Sequence, residues 1–420
     1  MRKISVSEWL FLVPLLLAQT DRRIRSFLRR RSSVNPMTAS LVLAASLFTA
    51  TSAGAQDTLT VLHKFGGANA DDPDSMIQAS DGNFYGTTYL GKSSIFQITP
   101  SGQFTLLFTA PYNPNGTNQY PDGNNYTDIV EGPDGFLYVV ASSGAQSSNV
   151  AQPGTLIRIS KSGTGYEVVH RFCSAPNCTD GAMAWKLVLG SDGNFYGAAG
   201  HGGSFTCYLG CGTIFRLSTD GTYTVLYSPV SGQTTVGALN VAADGNFYAL
   251  CSPPISGPPS VCRVTTSGQV TPIFQYPSGR WPANVYLTQG SDGFLYGVDG
   301  PPSTISYQVI FQLSTSGSFA QLYQINNYCT SKTGCSRVLP ASDGNLWSAD
   351  PPQEAVYSIT KGGVLLQTIP FSSQPNPYAH PQLLIQASSG ILYGTTGEPN
   401  PAFGDVGSVF SLDAGPQPPR

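Results

Sequence analysis

The chain has 420 residues and a formal net charge of −3; only 11% are charged, while Gly (46), Pro (32), Tyr (21) and Phe (21) are plentiful. Aromatic content and alternating apolar runs exclude a disordered chain. With no clustering of basic residues beyond residue 55, nucleic-acid binding is excluded as well.

Residues 1–55 read as an export segment rather than as fold. Arg22, Arg23, Arg25 and Arg29–Arg31 precede the apolar run Ala39–Ala50, and Ala53-Gly54-Ala55 forms a small-x-small cleavage pattern before Gln56. Met37 offers a second translation start inside this segment. Neither this run nor the earlier Trp9–Ala18 reaches the ~20 residues needed to cross a bilayer, and no later stretch does. Removing eight basic and two acidic residues with 1–55 leaves 13 basic and 22 acidic, a net charge near −9. The expected destination is periplasmic, cell-surface or secreted.

Thr58–Phe65 follows, an apolar strand-like run with no partner beside it in sequence. Then comes Ser-Asp-Gly-Asn-Phe-Tyr-Gly at Ser80–Gly86, which recurs at Ser191–Gly197 and, more loosely, at Pro133–Val139, Ala243–Ala249, Ser291–Gly297, Ser342–Ser348 and Ser389–Gly394. Its aromatic (Tyr85, Tyr138, Tyr196, Tyr248, Tyr296, Trp347, Tyr393) marks seven copies, spaced 53, 58, 52, 48, 51 and 46 residues apart. Each copy divides into four short runs. Around Tyr196 these are Lys186–Leu189, Asn194–Ala198, Ile214–Ser218 and Tyr223–Tyr227, with Asp192-Gly193 and Asp220-Gly221 as hairpin turns. First runs elsewhere are Met76–Ala79, Asp128–Glu131, Leu239–Ala242, Val285–Gln289, Arg337–Pro340 and Leu383–Gln386. None shows the 3.6-residue spacing of a helical repeat.

A period near 50 with four strands predicts an all-β, seven-bladed β-propeller spanning 56–413. The seventh copy ends at Val409–Leu412 without a fourth run, and its tail 414–420 is too rich in proline to pair. Thr58–Phe65 is therefore expected to complete the last blade and close the ring. Six blades with a loose tail is the alternative.

With first runs lining the channel, the turns between runs one and two, and three and four, are short. The remaining connections share the opposite face and are long: Thr109–Thr127, Val140–Thr155, Gly200–Thr213, Cys251–Ser260, Asp299–Val309, Gln324–Ser336 and Phe371–Gln382. Variable loops on a rigid scaffold are where binding usually resides. All eight cysteines fall in or beside these loops as local pairs: Cys173/Cys178, Cys207/Cys211, Cys251/Cys262 and Cys329/Cys335. Disulfides that stiffen the loops are the expectation. A zinc site is the competing reading, but His63, His170, His201 and His380 are scattered.

The units S-D-G-N-F-Y-G-T-T (Ser80–Thr88), I-F-Q-I-T-P-S-G (Ile95–Gly102) and F-T-L-L-F (Phe104–Phe108) resemble the GloVer tandem repeat of exported bacterial proteins, whose means of surface attachment varies. The resemblance covers nearly all of Thr58–Leu412. It implies a cell-envelope or secreted propeller, without an established activity or functional residues to carry over. The anchored members end in a sorting segment that is not recognisable here. A weaker similarity, through Asp343-Gly344-Asn345-Leu346-Trp347, is to streptogramin lyase propellers, whose histidine and metal-binding acids have no matching set in this chain.

Candidate chemistry is sparse. Asp71-Asp72-Pro73-Asp74 is the densest run of calcium-type ligands, but most Asp-Gly turns offer one carboxylate and are explained as turns. No cofactor, metal or catalytic set is expected, and His201 is the one loop histidine of interest. The repeated aromatics are expected to pack between blades. Tyr112, Tyr120, Phe205, Tyr208, Tyr307, Tyr328 and Tyr378 lie in the long loops as candidate ligand-face aromatics. The sequence thus points to a monomeric, non-enzymatic scaffold that binds a carbohydrate, peptide or envelope protein. An exported lyase or hydrolase with acids at the channel mouth, and a purely structural envelope protein, are the alternatives.

Overall fold

A computed structural model describes residues 58–66, 71–90, 93–114, 120–144, 153–204, 210–230, 233–252, 257–277, 286–299, 307–326, 337–371, 380–397 and 407–413. The expected export segment and tail lie outside these residues.

Seven antiparallel sheets stand in a ring. Six are built from consecutive strands. Blade 1, for example, is Asp71–Gln78, Phe84–Leu90, Ser94–Ile98 and Phe104–Thr109. Blade 7 takes its outer strand from the other end of the chain: Thr58–Lys64 pairs with Ser408–Asp413, Leu59 opposite Leu412 and Val61 opposite Phe410. The ring is closed as the missing fourth run predicts, and an open sheet edge is covered.

The turn between first and second strands shows why the heptapeptide repeats. Gly82 takes φ +83°, open to glycine and strained for other residues, and its N–H donates to Ala79 O at 2.9 Å. Asp81 then accepts from Asn83 N at 3.1 Å and from the Tyr85 hydroxyl at 2.8 Å. The same clamp ties Asp134 to Tyr138, Asp192 to Tyr196, Asp244 to Tyr248 and Asp292 to Tyr296, and Asp343 accepts from the Trp347 indole at 2.9 Å. Blade 7 has Ser389 at this place.

In the Phe-Tyr pair that follows, strand alternation sends the two rings to opposite faces. Phe84 packs on Tyr393 of the preceding blade at 4.1 Å between centroids, Phe195 on Tyr138 at 4.2 Å and Phe247 on Tyr196 at 4.6 Å. Leucines do the same elsewhere: Leu137 lies against Tyr85, Leu295 against Tyr248, Leu346 against Tyr296 and Leu392 against Trp347. The core is therefore seven interfaces between blades. The expectation that the repeated aromatics pack there holds.

Two differences from the sequence pattern stand out. Blade 4 has its inner strand in two pieces, Thr235–Val236 and Asn240–Val241, both paired to Phe247–Ser252. Short 3-10 turns, Pro176–Cys178 and Pro351–Gln353, interrupt the loop face.

Candidate functional site

The inner strands are Asp71–Gln78, Asn124–Glu131, Ala182–Leu189, the split pair of blade 4, Leu287–Gln289, Arg337–Pro340 and His380–Gln386. Each abuts the next, and the last abuts the first, around a central channel. All enter from the face of the long connections. We call the channel opening on that face the mouth.

At one level, near the mouth, five of the inner strands depart from regular pairing. The register slips between Pro73 and Ser75, between Tyr126 and Asp128, between Ala184 and Leu187, and between Pro381 and Leu383. Blade 4 is broken there, between Val236 and Asn240; in blade 6 Arg337 stands in regular pairing opposite Ala349. A bulge adds a residue, frees it from the ladder and re-aims its side chain, and bulges recur beside functional sites.

The residues at this tier stand ten and eleven positions before the blade aromatic. Ten before stand Ser75, Asp128, Lys186, Ala238, Tyr286, Arg337 and Leu383; eleven before, Asp74, Thr127, Trp185, Gly237 and Gln382 lie among the described residues. Ser75 Oγ donates to Asp128 Oδ1 at 3.0 Å and Leu187 N donates to Asp128 Oδ2 at 2.9 Å, so blades 1 to 3 meet on one carboxylate. Lys186 Nζ donates to Asn240 Oδ1 at 2.7 Å, linking blade 3 to blade 4. Arg337 lies over the Tyr286 ring, 4.1 Å from its centroid, joining blades 5 and 6.

The electrostatics cross the axis. Burial pushes the Asp74 carboxyl up to about 6, Arg337 opposing and Asp128 reinforcing the shift. Burial also raises Asp128, against the pull of Lys186, and lowers Lys186, with Asp128 opposing and Arg337 adding to it. Lys186 in blade 3 and Arg337 in blade 6 thus sense each other's charge. Among the described residues of the tier two acids, Asp74 and Asp128, are matched by two bases, Lys186 and Arg337.

Trp185 completes it. Its neighbours along the strand, Ala184 and Leu187, are buried between blades, yet Trp185 is 47% exposed. Its carbonyl accepts from Thr127 Oγ1 at 3.0 Å, and its indole Nε1 lies beside Gly200, which has no side chain to crowd it.

The structure bonds Cys173 to Cys178 and Cys251 to Cys262, the latter across adjacent strands of blade 4. Cys211 is also disulfide-bonded; Cys207, Cys329 and Cys335 lie outside the described residues. Of the loop aromatics, Tyr112 is exposed and tilts against Tyr120 at 5.2 Å, Tyr307 is half-buried, and Phe205, Tyr208, Tyr328 and Tyr378 lie outside the described residues. His201 meets Met183, its Nδ1 2.8 Å from the thioether sulfur. Among the described residues no group of three or more His, Cys, Asp or Glu gathers as a metal site, and no helix is long and apolar enough to cross a membrane. The channel tier was not singled out from sequence, although three of its charged residues fall inside the first runs.

Residues 90–257 match the family model of the Gloeobacter/Verrucomicrobia repeat. No curated protein matches the chain by sequence. Among solved structures it is similar to the extracellular domain assigned to a hybrid two-component system of B. thetaiotaomicron (12% identity, TM-score 0.51, 83% of this chain and 40% of that one). It is similar to the corresponding domain of a one-component system of the same organism (13%, TM-score 0.52, 83% and 39%). A third is YCF48 from Cyanidioschyzon merolae (12%, TM-score 0.52, 84% and 98%). The chain thus spans about two fifths of the first two. At such identities the likeness speaks to the fold alone.

Proposed function

We propose that this protein is an exported binding module that takes its ligand at the channel mouth, on the face of the long connections. The observation that carries the reading is the tier where four inner strands slip register and a fifth is broken, and where polar and charged side chains link neighbouring blades. Burying charges costs stability unless they are paired, and clustered charged groups with perturbed titration mark candidate sites. Disulfides accord with an oxidising, non-cytoplasmic compartment. The disulfide-bearing loops would form the rim of this site, with Tyr112 and Tyr120 among its contacts.

A lyase or hydrolase is the second reading. Asp74, whose carboxyl burial pushes up to about 6 with Asp128 adding to the shift, has the character of a general acid. One experiment addresses both: the purified protein is exposed to glycan and peptide panels, and both capture and cleavage are read. Capture weakened by Arg337→Ala without loss of thermal stability supports the binding module. Cleavage abolished by Asp74→Asn supports the enzyme. A captured ligand indifferent to Arg337 and Asp74 but lost on Tyr112→Ala would move the site out of the channel.

A further inference from the structure

We infer that the ligand of the channel tier is a neutral saccharide, with Trp185 as the platform on which one sugar ring lies. The inference rests on the reading of the channel mouth as a binding site and names the class of molecule it takes.

Charge makes the first argument. Among the described residues of the tier the carboxyls of Asp74 and Asp128 are matched by the cations of Arg337 and Lys186, each within electrostatic reach of the others across the blades. A strongly charged ligand would capture one partner and leave the other buried and uncompensated, which is costly. A neutral ligand keeps the balance. It also finds both kinds of hydrogen-bonding group: donors on Lys186 and Arg337, and an acceptor on Asp74, which receives no hydrogen bond from a described residue. Hydroxyl groups suit such a mixture, because each both donates and accepts.

Trp185 makes the second. Among the described residues the repeated aromatics of the blades are consumed by packing, and Trp347 is fully buried. Trp185 sits on the mouth-ward side of the same bulged level, its backbone fixed by Thr127 and its indole left open. An exposed indole offers a flat apolar surface with a polar edge. The molecule that needs a flat apolar surface bordered by donors and acceptors is a pyranose, with C–H groups on one face and hydroxyls around its rim.

The test uses the full secreted chain. Neutral hexose and N-acetylhexosamine oligosaccharides, the corresponding hexuronate oligomers and a peptide library are titrated by calorimetry and tryptophan fluorescence. A neutral oligosaccharide should bind and perturb the emission. Trp185→Ala should weaken it at least about tenfold, the equivalent of ~1.4 kcal/mol, whereas Trp185→Tyr should keep most of the affinity. The thermal midpoint of either variant should stay within about 2 °C of the parent, since the side chain is exposed. Failure of every neutral saccharide, or undiminished binding in Trp185→Ala, overturns the inference. Trp185-dependent capture of peptides or hexuronates alone overturns the ligand class and leaves the channel site standing. A saccharide that ignores Trp185, Asp74 and Arg337 alike overturns both.

Discussion

The clamp between aspartate and aromatic is the smallest unit of this fold, and it sets opposite pH slopes against the channel. Burial works to raise Asp192, but hydrogen bonds from Asn194 and Tyr196 outweigh it and hold the carboxyl below its usual range. Burial and Asp192 together push the Tyr196 hydroxyl up to about 12. Such a carboxylate stabilises the fold above its unfolded pKa, and that stability is lost as pH falls through the folded value. Asp74 has the reverse sign: its folded pKa exceeds the unfolded one, so its penalty grows as pH rises from about 4 to about 6. Asp74→Asn should therefore raise stability by about 1–2 kcal/mol at pH 7.5, after discounting for channel water, and the gain should vanish near pH 3.5 in denaturant titrations. The clamp has its own control. Tyr196→Phe should cost about 0.5–1.5 kcal/mol, whereas Tyr393→Phe, in the blade with Ser389 for aspartate, should stay within about 0.5 kcal/mol in urea unfolding.

At the scale of strands, pairing within a blade and docking between blades use separate positions of the repeat. Seven residues before the aromatic, Gln78, Glu131, Gln289 and Gln386 each accept the turn N–H of the preceding blade: Ser388, Ser80, Ala243 and Ser342 respectively. The outer strands lean on each other through rings, His63 over Phe104 at 3.8 Å, His170 over Tyr223 at 3.6 Å and Phe274 over Phe319 at 4.6 Å. Where the heptapeptide ends in glycine, a phenylalanine of the third strand lies across it. A methyl on Gly86, Gly197, Gly297 or Gly394 would collide with Phe96, Phe215, Phe311 or Phe410. Much of this was legible in the sequence, because Asp-Gly turns and Phe-Tyr alternation are local and recur. The tier was not. Asp128, Lys186 and Arg337 each open a short run that otherwise reads as apolar, and differ in charge. Only counting back ten residues from each aromatic brings them to one height. Blade 4 was misleading for a related reason: Asn240 turns its amide to Ala238 O and Tyr248 O, so the strand breaks where periodicity runs on.

At the scale of the ring, no single core holds the molecule. Each of seven interfaces needs both its blades, so the junction made by the two ends of the chain bears on all the others. Leu59 packs with Phe410 and Leu412 toward blade 6, and Leu62 with Phe84, Phe96 and Val409 toward blade 1. Deleting 58–64 should remove these contacts, bare the Ser408–Asp413 edge and abolish a single cooperative thermal transition, with association visible by light scattering. A ring that melts as sharply as the parent would show that the closing strand is dispensable. Reducing the Cys173–Cys178 and Cys251–Cys262 bonds should matter far less, because they join residues only 5 and 11 apart, the first within the connection from blade 2 to blade 3 and the second within blade 4.

The register that closes the ring also decides how it bears tension. Thr58 lies opposite Asp413, so both ends of the propeller leave from one rim, the rim away from the mouth. Drawn apart by those two ends, the closing pair unzips: Thr58 parts from Asp413 first and Lys64 from Ser408 last, each hydrogen bond meeting the load alone. Held by one end and tugged by something lodged at the mouth, the same strand is sheared along its length, and its bonds share the load. Held by its closing strand, the propeller resists a pull along that strand, toward the mouth, better than one that draws its two ends apart.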